Sequence, residues 1–355
     1  MTILTGFLGA GKTTLLNRLT GELGFADTAV IVNEFGEAGI DGALIARADE
    51  RAFAMSTGCL CCTVSGDVRL TLLRLLDEAE RGIGPAFDRI VIETTGLADP
   101  APVIQTFMTN DYMLDRFTLN GVVTVVDTLN GTDAIERFEE AYRQVAVADL
   151  LLITKGDLAR DPACRRDFDA LKQLLGRSNP NARVIEASEV TAEMVFSLAA
   201  FDPSGKRPDV REWLRFENGA QPAHNHAHDV NRHGATASAF CFSATGPIDA
   251  LALDRAIFDL RKSFGADLLR IKGLIEITGE PSCPLVLHVV GNIASPPRLL
   301  DGWPTGVEGT RIVVIVAGSE RASAPSLLTE TIPGLCAFDP ISTSKKHNRF
   351  AKMID

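Results

Sequence analysis

The chain has no long basic run: its 35 Lys+Arg are outweighed by 46 Asp+Glu, for a net charge of −11. Without a concentrated positive surface there is no electrostatic footprint for a phosphate backbone, so nucleic acid is not an expected partner. No stretch reaches the roughly 20 apolar residues that span a bilayer. The opening residues go directly into a β-type run instead of the charged and apolar regions of an export signal, so a cytoplasmic protein without membrane attachment is expected. A disulfide framework is also missing. Seven cysteines is an odd number, and three of them crowd into Cys59-Leu60-Cys61-Cys62, where normal disulfide geometry is hard to satisfy. In a reducing compartment such a cluster suits metal binding or thiol reactivity better than cross-linking.

What is present begins at once. Thr5-Gly6-Phe7-Leu8-Gly9-Ala10-Gly11-Lys12-Thr13-Thr14 fits G-x-x-x-x-G-K-[ST], preceded by the β-rich Thr2-Ile3-Leu4 and followed by the helical Leu15-Leu16-Asn17-Arg18-Leu19. Strand, glycine-rich turn and helix are the context a phosphate-binding loop requires. Only glycines let backbone N–H groups wrap a triphosphate closely, and the helix N-terminus adds favourable charge. Gly6, Gly9, Ala10, Gly11 and Thr14 belong to the cradle. Lys12 would reach the β/γ-phosphates, and Thr13 would offer its hydroxyl to Mg²⁺.

At 355 residues the chain has room for two domains of about 150 residues each. Through the first two hundred residues, continuous apolar runs alternate with helical spacing. Strands are predicted at Thr2–Thr5, Ala29–Val32, Arg51–Met55, Arg89–Glu93, Gly121–Val126, Leu150–Thr154 and Arg183–Glu186. Helices are predicted at Lys12–Glu22, Asp67–Arg81, Ala101–Met108, Ile135–Val145 and Ala163–Leu175, the last closed by Gly176. Strands apolar on both faces indicate a mainly parallel sheet covered by helices, hence an α/β doubly wound P-loop domain with its ligand at the carboxyl ends of the strands.

Three further motifs stand at predicted strand ends. Asn33-Glu34-Phe35-Gly36, leading to Asp41, brings carboxylates to the γ-phosphate edge, where Glu34 could hold Mg²⁺, order water or contact another metal; a solvated polar turn is the plainer alternative. Glu93-Thr94-Thr95-Gly96 offers an acid for Mg²⁺ and, in Gly96, an N–H for the γ-phosphate. Thr154-Lys155-Gly156-Asp157 resembles the guanine-reading N/T-K-x-D pattern. Asp157 would accept from the N1–H and amine of guanine, while the Lys155 stem packs along the base. Thr154 replaces the usual Asn, so the bracing part of that motif is altered.

Two stretches offer metal ligands. Cys59, Cys61 and Cys62 present three soft thiols within four residues, and a helix starting near Ser65-Gly66-Asp67 would lower their pKa. Zn²⁺ is the expected ion, and fewer than four protein ligands would make the site open and exchangeable. Packing of a loop and thiol redox chemistry are the competing readings. Four of the six histidines, His224, His226, His228 and His233, lie within ten residues of a Pro-, Gly- and Asp-containing segment whose composition is that of a linker. It could capture metal, or be a polar loop.

Taken together, GFLGAGKTT, NEFG, GCLCCT, ETTGLADP and TKGD, in that order, resemble the CobW-type GTPases of the group that also holds the urease and hydrogenase nickel chaperones. The resemblance implies a GTP-hydrolysing metallochaperone that binds GTP/GDP and Mg²⁺, carries Zn²⁺ or Co²⁺ at the C-x-C-C cysteines, and delivers it to a client metalloprotein. It does not separate zinc delivery, cobalamin-related cobalt insertion and nitrile hydratase activation. A metal store with incidental nucleotide binding and a P-loop small-molecule kinase are rival readings, and a homodimer is compatible with the motifs. Family members carry more residues before the first strand than the Met1-Thr2-Ile3-Leu4 seen here.

The expected division is a GTPase domain over 1–200, a His-rich linker over 201–236, a smaller C-terminal α+β domain over 237–340 and a tail over 341–355. In the C-terminal part, strands are predicted at Ser238–Ser243, Leu268–Ile277, Leu285–Val290 and Arg311–Ala317, with helices at Pro247–Phe264 and Pro325–Leu335. No catalytic constellation is visible there, and His288 reads as a core or half-exposed residue of an alternating strand.

Overall fold

A computed structural model describes residues 1–33, 53–54, 60–64, 68–84, 86–109, 111–157, 162–198, 237–304 and 309–338. Glu34, Asp41, Cys59, the histidines of 224–233 and the tail lie outside them. The chain divides into two compact units, one of residues 1–175 with 182–203, the other of 176–181 with 204–355.

In chain order the first unit contains β1 (Thr2–Gly6), α1 (Lys12–Leu19), β2 (Thr28–Asn33), β3 (Phe53–Ala54), β4 (Leu60–Val64), α2 (Val68–Glu80), β5 (Arg89–Thr94), α3 (Ala101–Met108), α4 (Asp111–Arg116), β6 (Gly121–Asp127), α5 (Gly131–Arg137), α6 (Glu139–Ala146), β7 (Leu150–Thr154), α7 (Pro162–Ser178), β8 (Arg183–Glu186) and α8 (Ala192–Phe196). The strands form one eight-stranded sheet in the order β3-β4-β2-β5-β1-β6-β7-β8. All pairings are parallel except β3 with β4 at the edge. This is the doubly wound P-loop architecture, and β1 sits between β5 and β6, so the crevice at its carboxyl end is framed by both neighbours.

Both faces of the sheet are buried, which is why the strands read as continuous apolar runs. Val30 and Val32 pack with Leu4, Leu15, Leu16, Leu19 and Val123 on one face, while Ala29 and Ile31 pack with Leu72, Ile92, Phe107 and Met113 on the other. Strand alternation sends successive side chains to opposite layers, and helices cover each. Truncating a fully buried member such as Ile92 to Ala would cost about 2–5 kcal/mol.

Several expectations are corrected. Of the edge run predicted at Arg51–Met55, the described residues Phe53 and Ala54 form β3, which pairs antiparallel with β4. The strand that joins the parallel sheet is β4, which contains Cys61 and Cys62. The helix predicted over Ile135–Val145 is two helices, because Phe138 takes an extended conformation (φ −120°, ψ 122°) and ends α5. Its ring stacks on Phe7 at 4.8 Å between centroids. Helix α7 does not close at Gly176 but runs through it to Ser178, where Asn179 and Pro180 stop it; Asn179 accepts from the Asn181 N–H.

The second unit contains β9 (Ser238–Ala244), α9 (Ala250–Phe264), β10 (Leu268–Ile277), β11 (Glu280–Val290), β12 (Ile293–Ala294), β13 (Arg298–Leu299), β14 (Arg311–Val316), α10 (Ala324–Thr331) and β15 (Leu335–Phe338). Its antiparallel sheet has the order β12-β11-β10-β14-β9-β15, with β13 on β11. Helices α9 and α10 cover one face through Leu253, Leu260, Phe264, Ala324 and Leu328, against Phe242, Ile271, Ile275, Val289 and Val314. Asp249 caps α9 by accepting from the Ala252 N–H at 2.9 Å. The predicted final helix stops at Thr331, and Leu335 opens β15 instead. His288 is buried and lies opposite Lys272 in the β10–β11 register.

Candidate nucleotide and metal site

The phosphate-loop sequence forms the turn between β1 and α1. Gly6 ends the strand at φ +143°, and a Cβ there would stand 2.3 Å from the Val125 carbonyl oxygen, so no other residue lets β1 and β6 approach this closely. Gly11 (φ +97°) is the residue from which α1 starts. The first turn of α1 leaves N–H groups without intrahelical acceptors, a ready position for anionic oxygens. Lys12 is almost wholly buried, and its Nζ donates to the Gly6 carbonyl at 2.8 Å and the Phe7 carbonyl at 3.3 Å. The ammonium therefore lies over its own loop.

The neighbouring Thr13 Oγ1 donates to Glu93 Oε1 at 2.7 Å. Glu93 is buried near the end of β5, next in the sheet to β1. One residue on, the Thr94 hydroxyl donates to Thr5 Oγ1 at 2.7 Å, tying the two strand ends together. Gly96 backs onto the phosphate loop: a Cβ there would lie 2.7 Å from the Leu8 nitrogen and 2.8 Å from its Cα. Two hard oxygen donors, a lysine and a helix N-terminus thus meet in one place, the donor set that suits a magnesium–triphosphate pair.

The Thr154–Asp157 turn follows β7 on the other side of β6. Thr154 Oγ1 donates to the Ala10 carbonyl at 2.6 Å, and its methyl sits 3.5 Å from where a Gly11 Cβ would be. The hydroxyl that replaces the usual Asn thus braces the phosphate loop directly. Lys155 adopts φ +58°, uncommon for a residue with a Cβ, and its Nζ is ion-paired to Asp127 Oδ2. Asp127 is buried at the end of β6 and also accepts from the Leu129 N–H at 2.7 Å and Asn130 Nδ2 at 3.0 Å. Burial pushes its carboxyl up, but the hydrogen bonds from Lys155, Leu129 and Asn130 and the Lys155 charge outweigh it and hold the pKa below the usual value. Asp157 is exposed.

Of the residues expected at the site, the structure brings together Thr13 with Glu93, Thr154 with Ala10, and Gly96 with the loop containing Gly9 and Ala10. Glu34, Cys59, His224, His226 and His228 lie outside the described residues. Cys61 and Cys62 are placed by backbone, opposite Val30 and Ile31 of β2. The next register position carries Thr63 opposite Val32, which is itself opposite Glu93. The cysteine strand and the Glu93 strand are therefore two positions apart in the sheet, roughly 9–10 Å. Among the described residues no group of His, Cys, Asp or Glu clusters as a metal site. Asp127 and Gln144 are two buried polar residues of this region that the sequence did not single out. Asp127 ends the apolar run 122–126, and Gln144 follows Arg143 in a helix of mixed polarity, so neither stood out.

Residues 1–186 match the family described as CobW/HypB/UreG, nucleotide-binding domain, and residues 237–332 that described as Cobalamin synthesis protein cobW C-terminal domain. The chain is 33% identical over 284 residues to the zinc chaperone YjiA of Escherichia coli (strain K12), covering 79% of this chain and 83% of that one. It is 30% identical over 349 residues to the zinc chaperone CobW of Sinorhizobium sp, covering 88% and 91%. The crystal structure of the Zn(II)-bound YjiA GTPase from E. coli aligns with a TM-score of 0.68 at 29% identity, over 93% of this chain and 98% of that one. The chain belongs to the CobW/HypB/UreG nucleotide-binding family and carries the CobW C-terminal domain.

Proposed function

We propose that this protein is a GTP-hydrolysing metallochaperone that takes Zn²⁺, or Co²⁺, as cargo and releases it to a client metalloprotein on hydrolysis. The observation that carries this reading is the pairing of Thr13 Oγ1 with Glu93 Oε1 at 2.7 Å beside Lys12, at the N-terminus of α1. The names of its relatives, zinc chaperones and a Zn(II)-bound GTPase, support the cargo.

In this reading backbone N–H groups of Gly9, Ala10, Gly11 and Lys12 bind the phosphates, with Gly6 and Thr14 completing the loop, and Lys12 leaves the Gly6 and Phe7 carbonyls for the β/γ-oxygens. Thr13 with Glu93 or Glu34, directly or through water, would hold Mg²⁺, which supplies neutralisation of charge developing on the leaving phosphate oxygens. The Gly96 N–H contacts the γ-phosphate. Asp157 reads guanine, the Lys155 stem packs on the base, and Thr154 holds the base loop to the phosphate loop. Cys59, Cys61 and Cys62 bind the cargo ion, and His224, His226 and His228 in the 201–236 linker collect it. Loss of the γ-phosphate removes the contact made by the Gly96 N–H and the load on Glu93, and β5 and β2 carry that change to β4. The domain over 237–340 serves client docking or regulation.

The test is metal affinity of reduced protein, by competition with a chromophoric chelator for Zn²⁺ and Co²⁺, with Mg²⁺ and either GDP or a non-hydrolysable GTP analogue. Residues 224–233 are deleted throughout so that the histidines do not mask the result. The expected outcome is a nucleotide-dependent change of about tenfold, about 1.4 kcal/mol, that disappears in C59A/C61A/C62A. Equal affinity in both nucleotide states would defeat the gating reading in favour of a metal store.

A further inference from the structure

We infer that Gln144 is a positioning residue for GTP hydrolysis: from α6 it fixes the loop that follows β5, so that the Gly96 peptide faces the γ-phosphate. The inference rests on the GTPase reading above and names the residue that holds the loop carrying Gly96 in that reading.

Gln144 is 1% exposed, in a helix that also buries Ala141, Tyr142, Val145 and Ala146. Its Nε2 donates to the Gly96 carbonyl at 3.1 Å and the Ala98 carbonyl at 3.0 Å. Two carbonyl acceptors at one end of the amide fix its orientation, since the oxygen end would meet them with repulsion. The backbone on the other side is equally determined. Thr124 Oγ1, on β6, donates to the Gln144 carbonyl at 2.7 Å, so this part of α6 is fastened to the central sheet. The preceding residue, Arg143, lies 3.8 Å from Asp99.

The loop is thus held at both ends and in the middle. Glu93 meets Thr13, Gly96 leaves no room for a Cβ against Leu8, and Gln144 takes the carbonyls on either side of Leu97. With those carbonyls directed into α6, the Gly96–Leu97 peptide plane is set before nucleotide arrives, and the Thr95–Gly96 peptide carrying the Gly96 N–H is bounded by it on one side and by Thr94, tied to Thr5, on the other. A preset N–H contributes to catalysis because it needs no reorientation when phosphate charge develops.

A side chain serving only to fill space does not account for this arrangement. Gln144 Oε1 is buried and has no hydrogen-bond partner among the described residues. Leu or Met would occupy the same volume without a buried polar atom, and buried polar groups left unpaired are uncommon in folded proteins. The amide is kept for what its nitrogen holds. Gln144 also borders the hollow beneath the phosphate loop lined by Phe7, Leu8 and Ala10, so its position is coupled to that loop as well as to Gly96.

The test compares full-length wild type with Gln144→Met, which keeps the volume and removes both donors, and Gln144→Glu, which keeps the shape and can supply at most one. Steady-state GTP hydrolysis, affinity for GDP and for a non-hydrolysable GTP analogue, and thermal midpoint are measured for each. The expected result is kcat reduced about tenfold or more in both Gln144→Met and Gln144→Glu, since the carboxyl sets at least one oxygen against the Gly96 and Ala98 carbonyls, with analogue-over-GDP preference falling in both. GDP affinity stays within about twofold, because GDP has no γ-phosphate for Gly96 to contact. Wild-type kcat and preference in a folded Gln144→Met protein overturn the inference, as do equal losses for GDP and analogue in either variant. Should Gln144→Met not fold, wild-type kcat in Gln144→Glu overturns it. Wild-type protein that hydrolyses no GTP overturns the GTPase reading itself.

Discussion

Asp127 and Lys155 show how the turn after β7 is held. A lysine in the left-handed region and a buried carboxylate are each unfavourable alone, and each is offset by the other. Lys155 remains partly exposed along its stem, so the ion pair falls between exposed and buried cases, and Asp127→Asn should cost about 1–3 kcal/mol. The pH dependence has a definite sign. Because the folded-state pKa of Asp127 is depressed, its contribution is fully present above the unfolded value of about 3.9 and is lost as pH falls through the lower folded value. Urea midpoints of wild type and Asp127→Asn should therefore differ by a constant amount from pH 8 to pH 5 and converge below about pH 4. A gap that changes across the neutral range would mean that another group supports Lys155. The turn itself stood out in the sequence as Thr154-Lys155-Gly156-Asp157; Asp127 did not, because an acid ending an apolar strand gives no indication of which cation it meets.

At the level of elements, what the sequence disclosed and what it hid divide along physical lines. The strands buried on both faces, β1, β2, β5, β6 and β7, announce themselves by unbroken apolar runs, and α3 has the predicted bounds. Strand β4 was hidden because Cys61, Cys62 and Thr63 read as ligands and polar atoms, although small, partly apolar residues also suit a strand. The break between α5 and α6 was hidden because its cause is the stacking of Phe138 on Phe7, more than a hundred residues away in sequence. Helices α4 and α8, of six and five residues, are too short for periodicity to register. Gly176 misled for a different reason: glycine is the commonest helix terminator, yet here it lies inside the last turn of α7. A Cβ at Gly176 would meet nothing within 4 Å, and its φ is not positive. Gly176→Ala should then stabilise the protein by about 0.5–1 kcal/mol, read as a higher urea midpoint at unchanged slope. A lower midpoint would show that the methyl meets something where the helix ends.

For the whole molecule, the division of labour follows from where the cores lie. Every strand of the parallel sheet and both of its covering layers come from residues before 199, and the antiparallel sheet with α9 and α10 has a separate core after residue 237. Thr13, Glu93, Gly96, Gln144, Asp127, Thr154 and Lys155 make the contacts described above within the first unit. Nucleotide binding should therefore survive removal of the second sheet. A chain of residues 1–203 keeps 176–181 and so all of α7, and ends where the first unit ends, so no described helix is cut. Its GDP affinity, measured by fluorescence titration with a labelled analogue, is expected within about threefold of the full chain, a difference of under about 0.7 kcal/mol. A much larger loss in a folded fragment would place part of the nucleotide site in the second unit. Release of Zn²⁺ to a client is expected to respond differently: if the C-terminal sheet docks the client, the fragment should bind GDP and turn over GTP yet fail to metallate an apo-acceptor that the full chain metallates. Retained transfer by the fragment would confine chaperone action to the nucleotide unit and leave the second sheet a role in regulation alone.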